Sequence, residues 1–181
     1  MTRGPARILD EYLVASARAG DRKAFAMLAE RWHGKLLAHA WRLTGDRDSA
    51  RDAAQAGWVE IVRGLHRLRD ERAFPAWAYR IVSCRCAGLV GESIRGRELG
   101  EALADRPEEI AASADEAVDR RRVRSVIAGL PPDQRSAIAL FYLEDMSVAE
   151  VAVALTIPAG TVKTRLMHAR RKLRAALEGD E

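Results

Sequence analysis

Between Ala159 and Ala175 the chain carries Lys163, Arg165, Arg170, Arg171, Lys172 and Arg174 and no acidic residue. Cations packed this closely without counter-charges favour a polyanionic partner, and the bland alternative is a solvated helix face. Cys84 and Cys86 suggest metal or redox chemistry together with the histidines. Residues two apart on a helix point about 200° away from one another, so the two thiols could share an ion only where the helix breaks. The same spacing is wrong for a local disulfide, and two cysteines make no disulfide framework, so a reducing cytoplasm is the expected setting. Catalysis has little support: there is no Gly-rich phosphate loop with Lys, no His-Glu-x-x-His, and no nucleophile and base beside a glycine elbow. Asp46 and Asp48 suit helix caps better than an acid–base pair. The expectation is a protein that is not an enzyme and holds no metal or cofactor.

The elements that must present these residues read as helices. Phe25, Leu28, Trp32 and Leu36 recur at three- and four-residue steps, as do Ala54, Trp58, Ile61, Leu65 and Leu68, while Phe74, Trp77 and Ile81 begin a third run. Gly45 suits a C-cap, and Asp46 or Asp48 the next N-cap. All four tryptophans, Trp32, Trp41, Trp58 and Trp77, fall in this first part, enough apolar area to predict a core of its own. No strand-like alternation is present. The longest strictly apolar run, Ala137 to Leu143, is too short to cross a bilayer, and no signal peptide pattern opens the chain, so no membrane insertion is expected.

The net charge of +4 hides a strong pattern. Residues 1–100 carry 18 basic and 12 acidic groups, residues 101–119 carry 1 and 7, and residues 120–181 carry 11 and 7, so an acidic middle separates two basic ends. From Gly91 to about Ala117 aromatics vanish and glycine and Pro107 enter, the composition of a flexible linker. Beyond it, a helical pattern starts at Val123, stops at Pro131-Pro132 and resumes through Ile138, Phe141 and Tyr142. Ser147 with Glu150 forms a capping box for a short helix with Val148, Val151, Ala152 and Leu155 on its apolar side. Thr156-Ile157-Pro158-Ala159-Gly160 breaks that helix, and Thr161 opens another in which Val162, Leu166, Ala169, Leu173 and Leu177 face inward. The fold class predicted is therefore all-α: two small helical domains, 1–95 and 118–181, joined by a flexible linker, 96–117, the C-terminal domain a helix-turn-helix.

A short helix, a turn and a longer basic helix is the order of a DNA-reading helix-turn-helix. With Val162, Leu166 and Ala169 buried, Lys163, Thr164, Met167, His168 and Arg171 must lie on the opposite side or its flanks. Arg and Lys there suit phosphates or guanine, and Thr164 and His168 offer shorter hydrogen-bonding groups.

Leu130-Pro131-Pro132-Asp133-Gln134-Arg135, Met146-Ser147-Val148-Ala149-Glu150-Val151-Ala152, and Gly160-Thr161-Val162-Lys163-Thr164-Arg165-Leu166 with Ala169-Arg170 closely resemble region 4 of extracytoplasmic-function (ECF) sigma factors. Asp52-Ala53-Ala54-Gln55, Trp58, Phe74, Trp77, Tyr79, Arg80 and Ile81 resemble the family's region 2, and the two regions together span about residues 20–177. The resemblance implies a transcription initiation factor that binds bacterial core RNA polymerase, directs it to promoter DNA, and is restrained by a separate anti-sigma factor. It implies that Asp52, Gln55 and Trp58 lie at the polymerase contact, although Ala56 stands where the family usually has an acidic residue. Trp58 also shares a stripe with Ala54 and Ile61, which favours a partly core role, whereas Asp52 and Gln55 sit off that stripe. The minus-35 element would meet Thr161, Lys163, Thr164, Arg165, His168 and Arg171. The minus-10 element would meet Trp77, Arg80, Cys84 and Arg85, with Arg95 and Arg97 as further phosphate contacts. Cys84 stands where the family usually has Asn, and Gly88 where it has Asp or Asn, so the promoter is expected to be unusual or melting to rest on the neighbouring loop, residues 68–73. Two other readings remain: a helix-turn-helix regulator acting without polymerase, and a metal- or redox-responsive protein.

Overall fold

The computed structural model describes residues 5–96 and 125–178, and every regular element among them is helical. Helix α1 spans Pro5–Arg18, α2 Arg22–Thr44, α3 Arg47–Gly64 and α4 Phe74–Gly96; α5 spans Pro132–Ile138, α6 Val148–Leu155 and α7 Ala159–Glu178. Helices α1 to α4 belong to one compact unit, and α5 and α7 to a second.

In the first unit the caps are those the sequence predicts. Gly45 ends α2 in the left-handed region, at φ 71°, where a residue without Cβ is unstrained, and its N–H donates to the Trp41 carbonyl. Asp46, not Asp48, caps α3, its carboxylate accepting from the Ser49 N–H at 2.8 Å. Asp21 caps α2 by accepting from the N–H groups of Lys23 and Ala24. Helix α1, whose sequence shows no clear apolar stripe, buries Leu13 and Val14, and its buried Asp10 accepts from Arg31 Nε of α2 at 2.7 Å. Asp10 is a polar residue on the buried side, and it interrupts the apolar period of the helix.

The core differs from the expected aromatic one. Of the four tryptophans only Trp32 is buried, edge-on to Phe74 at 5.1 Å, while Trp41, Trp58 and Trp77 are half-buried. Around the buried Trp32, Phe74 and Tyr79, small residues fill much of the space: Ala24, Ala40, Ala50, Ala53, Ala54 and Ala78 are buried. The reason is close helix approach. A Cβ placed on Gly57 would stand 2.8 Å from Val82 Cγ2 of α4, and one on Gly64 would stand 2.9 Å from the Trp77 ring. The buried stripe of α4 accordingly runs through Phe74, Ala78, Tyr79, Val82 and Cys86, with Trp77 and Ile81 on its flanks. Residues 65–67 and 71–73 form 3₁₀ turns, the second capped by Asp70, so the loop after α3 is a tight, hydrogen-bonded connection. Arg18 of α1 ion-pairs with Glu71 of that turn.

Helix α4 continues to Gly96, so residues 91–96, which composition assigned to the linker, are helical. The helix runs on although Gly91 and Gly96 have low helix propensity, so neither composition nor propensity marks its end. The remainder of the 96–117 linker lies outside the described residues, as do Val123, Arg97 and the side chains of Arg95 and Leu177.

In the second unit Pro132 occupies the first turn of α5, where its fixed φ suits the helix start. The segment Ala139–Leu143 widens into a π turn, closed by the Glu144 N–H donating to the Ala139 carbonyl. Leu130, Ala137, Ile138, Leu140, Met146, Val151, Val162, Leu166 and Ala169 are buried. The capping box at α6 is reciprocal: the Ser147 N–H donates to Glu150 at 2.7 Å, and the Glu150 N–H donates to Ser147 Oγ at 3.2 Å. Thr156 adopts φ 57° after α6, and α7 starts at Ala159 rather than Thr161, with the Pro158 carbonyl accepting from the Val162 N–H. The break is thus three residues, Thr156 to Pro158, shorter than the five that were expected.

Candidate functional site

Helix α7 is the element on which the basic residues become a surface. Val162, Leu166 and Ala169 are buried, and Leu173 is half-buried. Lys163, Thr164, Met167 and Arg171 are exposed, as the helical arithmetic requires. Thr164 and Arg171, seven residues apart, fall within about 20° of one another on the outer face, with Lys163 toward one flank and Thr161 and His168 toward the other. Thr164 Oγ1 donates to the Gly160 carbonyl at 3.1 Å, which leaves its lone pairs outward. Arg171 lies 3.2 Å from His168 Nδ1, and Arg170 Nε donates to the Leu166 carbonyl. Arg165 differs from the rest: it is half-buried, and its Nε meets Asp133 Oδ2 of α5 at 3.2 Å.

The first unit divides its site residues between two depressions. Gln55 and Trp58 line an apolar groove of about 620 Å³ between α2 and α3, with Phe25, His33, Val59 and Val62. Trp58 stands edge-on to Phe25 at 6.1 Å, and Val59 and Val62 are exposed. Asp52 does not join them. It lines a smaller cleft of about 260 Å³ between α3 and α4, with Ala56, Cys84, Arg85 and Gly88. The small residues at 56, 84 and 88 are what leave this cleft open. Trp77 leans on Gly64, Arg80 is exposed, and Arg85 ion-pairs with Glu60 of α3.

The two cysteines turn opposite ways. Cys84 is exposed; Cys86 is buried near the Ala40 carbonyl, and burial pushes its thiol up to about 12. No group of three or more metal-ligating side chains occurs among the described residues. Sequence reasoning overlooked His39, which is buried on α2 with Nε2 at 2.9 Å from Ser83 Oγ of α4. Ser83 Oγ donates to the Tyr79 carbonyl, so the imidazole Nε2–H donates to the hydroxyl. Burial first, and the Arg42 charge second, push this imidazole down to about 3. A serine and a histidine thus meet, but the hydroxyl's proton is directed away from the ring, and the imidazole itself is fully buried. Asp133 and Glu60 were also overlooked; each is an acid whose partner lies on another helix, a pairing with no local signal.

The description "Sigma-70 region 2" matches residues 28–87, and "Sigma-70, region 4" matches residues 120–173. The RNA polymerase sigma-H factor of Pseudomonas aeruginosa is 28% identical over 93% of this chain and 94% of its own. The ECF RNA polymerase sigma-E factor of Escherichia coli is 31% identical over 92% of this chain and 93% of its own. The chain belongs to the ECF sigma factors. Solved structures agree on the fold of this ECF sigma factor. CnrH, in complex with the cytosolic domain of CnrY, superposes with a TM-score of 0.61 at 28% identity, covering 96% of this chain and 99% of that one. RpoE of Bartonella quintana, in complex with the anti-sigma factor NepR, gives 0.64 at 24% identity over 88% and 99%. Region 2 of this sigma factor thus takes in α3 and most of α2 and α4, and region 4 takes in α5, α6 and most of α7. Helix α1 lies ahead of the region 2 match.

Proposed function

We propose that this sigma factor binds core RNA polymerase through its first unit and reads the minus-35 element with α7. It directs promoter-specific initiation in the cytoplasm, without catalysis of its own. The observation that carries the reading is the outer face of α7: Thr164, Lys163 and Arg171 stand exposed on a helix whose opposite side is buried in the second unit. A major groove accepts one helix, and cations beside it meet phosphates. Thr161 and His168 extend that face. The apolar groove holding Gln55 and Trp58 is the proposed polymerase contact, and Asp52, exposed on the same helix, α3, but lining the separate cleft toward α4, is proposed as a second polymerase contact beside it. Trp77, Arg80, Cys84 and Arg85 are proposed for the minus-10 strand, where aromatic stacking and phosphate contacts hold unpaired bases. The similar chain CnrH was solved with the cytosolic domain of CnrY and RpoE with the anti-sigma factor NepR, which supports restraint of this sigma factor by an anti-sigma factor.

Run-off transcription of fragmented genomic DNA with core polymerase, with and without this protein, tests the reading. New starts that depend on the protein and share an upstream motif are expected. DNA binding without new starts would instead mark a regulator that acts without polymerase. Lys163→Ala is expected to weaken binding to the motif and to reduce the magnitude of the log K against log salt slope by about 0.9, the change for one lost phosphate contact. An unchanged slope removes Lys163 from the interface.

A further inference from the structure

We propose that Asp133 is a positioning residue for the DNA-reading helix, acting through Arg165, and that Arg165 is a tether between α5 and α7 rather than a DNA contact. The inference rests on the reading of α7 as the minus-35 helix. Arg165 stands about 100° around the helix from Thr164, toward the buried side. Its side chain is 26% exposed, against 46% for Asp133, and its Nε lies 3.2 Å from Asp133 Oδ2. The acid is itself fixed. It occupies the first turn of α5, directly after Pro131 and Pro132, whose rings restrict the backbone, and the helix start favours its negative charge.

The tether adds to what the apolar contacts supply. Val162, Leu166 and Ala169 are buried and fix which face of α7 turns inward, while the ion pair at the flank trims the remaining roll about its axis. At a side-chain radius of about 6 Å a roll of about 20° displaces a tip by about 2 Å. Productive geometry at a binding site tolerates about 0.5 Å. The single contact from Arg165 Nε to the Asp133 carboxylate ties one flank of α7 to α5, and it biases the angle at which Thr164 and Arg171 face outward.

The test uses the full chain, a duplex carrying the motif recovered from the run-off starts, and a scrambled duplex of the same length. Asp133→Asn is expected to weaken motif binding about three- to fivefold, the range of a partly exposed ion pair, while leaving scrambled binding and the salt slope at wild-type values. Arg165→Gln is expected to behave the same way. The exchange Asp133→Arg with Arg165→Asp is expected to restore motif affinity. Three results overturn the proposal: wild-type affinity in Asp133→Asn, a slope reduced by about 0.9 in Arg165→Gln, or an exchange variant that folds yet stays weak. Circular dichroism melting accompanies each variant, and if the exchange does not fold, the slopes of the two single variants decide. A wild-type chain that fails to bind the motif overturns the reading of α7 as well; a wild-type chain that binds while the variants deviate overturns the tether alone.

Discussion

The imidazole of His39 is fully buried, donates to Ser83, sits edge-on to Tyr79 at 5.0 Å, and meets no hydrogen-bond partner at Nδ1 among the described residues. Protonation would place a charge there with no solvent and with Arg42 nearby, which is why the group is held down to about 3 from 6.5. A folded pKa below the unfolded one means that the unfolded chain binds the proton first as pH falls. Stability is therefore complete above about pH 6.5 and is lost progressively toward pH 3, at up to about 1.4 kcal/mol per pH unit. Urea unfolding is expected to show wild type losing about 2 kcal/mol more than His39→Gln between about pH 7 and pH 5. Equal losses would mean that the site relaxes to admit water. Sequence spacing placed Asp52 and Gln55 on the outside of α3, where both are exposed. It could not find His39, Glu60 or Asp133, because each is defined by a partner on a different helix, and helical periodicity carries no information about which helices meet.

Helix ends were the most legible elements, since a cap is chemistry between near neighbours. Gly45, Asp46 and the Ser147–Glu150 box all have the hydrogen bonds their residue types predict. The packing of α3 on α4 was not legible. Gly57 reads in sequence as a weak point in a helix, yet its missing side chain is what lets Val82 approach. Gly57→Ala is expected to destabilise the first unit by about 1 kcal/mol, the overpacking cost exceeding the gain in helix propensity. In a Val82→Ala background the same substitution is expected to become neutral or stabilising. Denaturant midpoints at constant m distinguish the outcomes, and a loss of equal size in both backgrounds would refute the steric account. Helix α1 and the π turn escaped sequence reading for related reasons. Asp10 breaks the apolar stripe of α1, and a single widened turn leaves the surrounding three- and four-residue steps almost intact.

Across the whole molecule the two proposed contacts have different physics. The α7 face is cationic, whereas the α2/α3 groove is lined chiefly by Phe25, Trp58, Val59 and Val62. Raising salt from about 50 to 200 mM is expected to cut DNA affinity tenfold or more, because counterion release on binding then yields less, while changing core polymerase affinity little. Parallel titrations check this, and a polymerase affinity that falls as steeply as DNA affinity would move the docking surface off the groove. Composition revealed the cationic end but not the groove, which exists only once α2 and α3 are side by side. The opposed cysteines have one more consequence. Maleimide is expected to modify Cys84 promptly and to leave Cys86 untouched in the native protein, because one thiol is exposed and the other is buried and protonated. Mass spectrometry should show a single label, then a second that accumulates slowly; two prompt labels would contradict the burial of Cys86. The arrival of that second label times the spontaneous opening of the first unit. The sigma factor thus carries an internal clock, readable while polymerase or an inhibitor is bound, and a partner that clamps α2 against α4 will slow it.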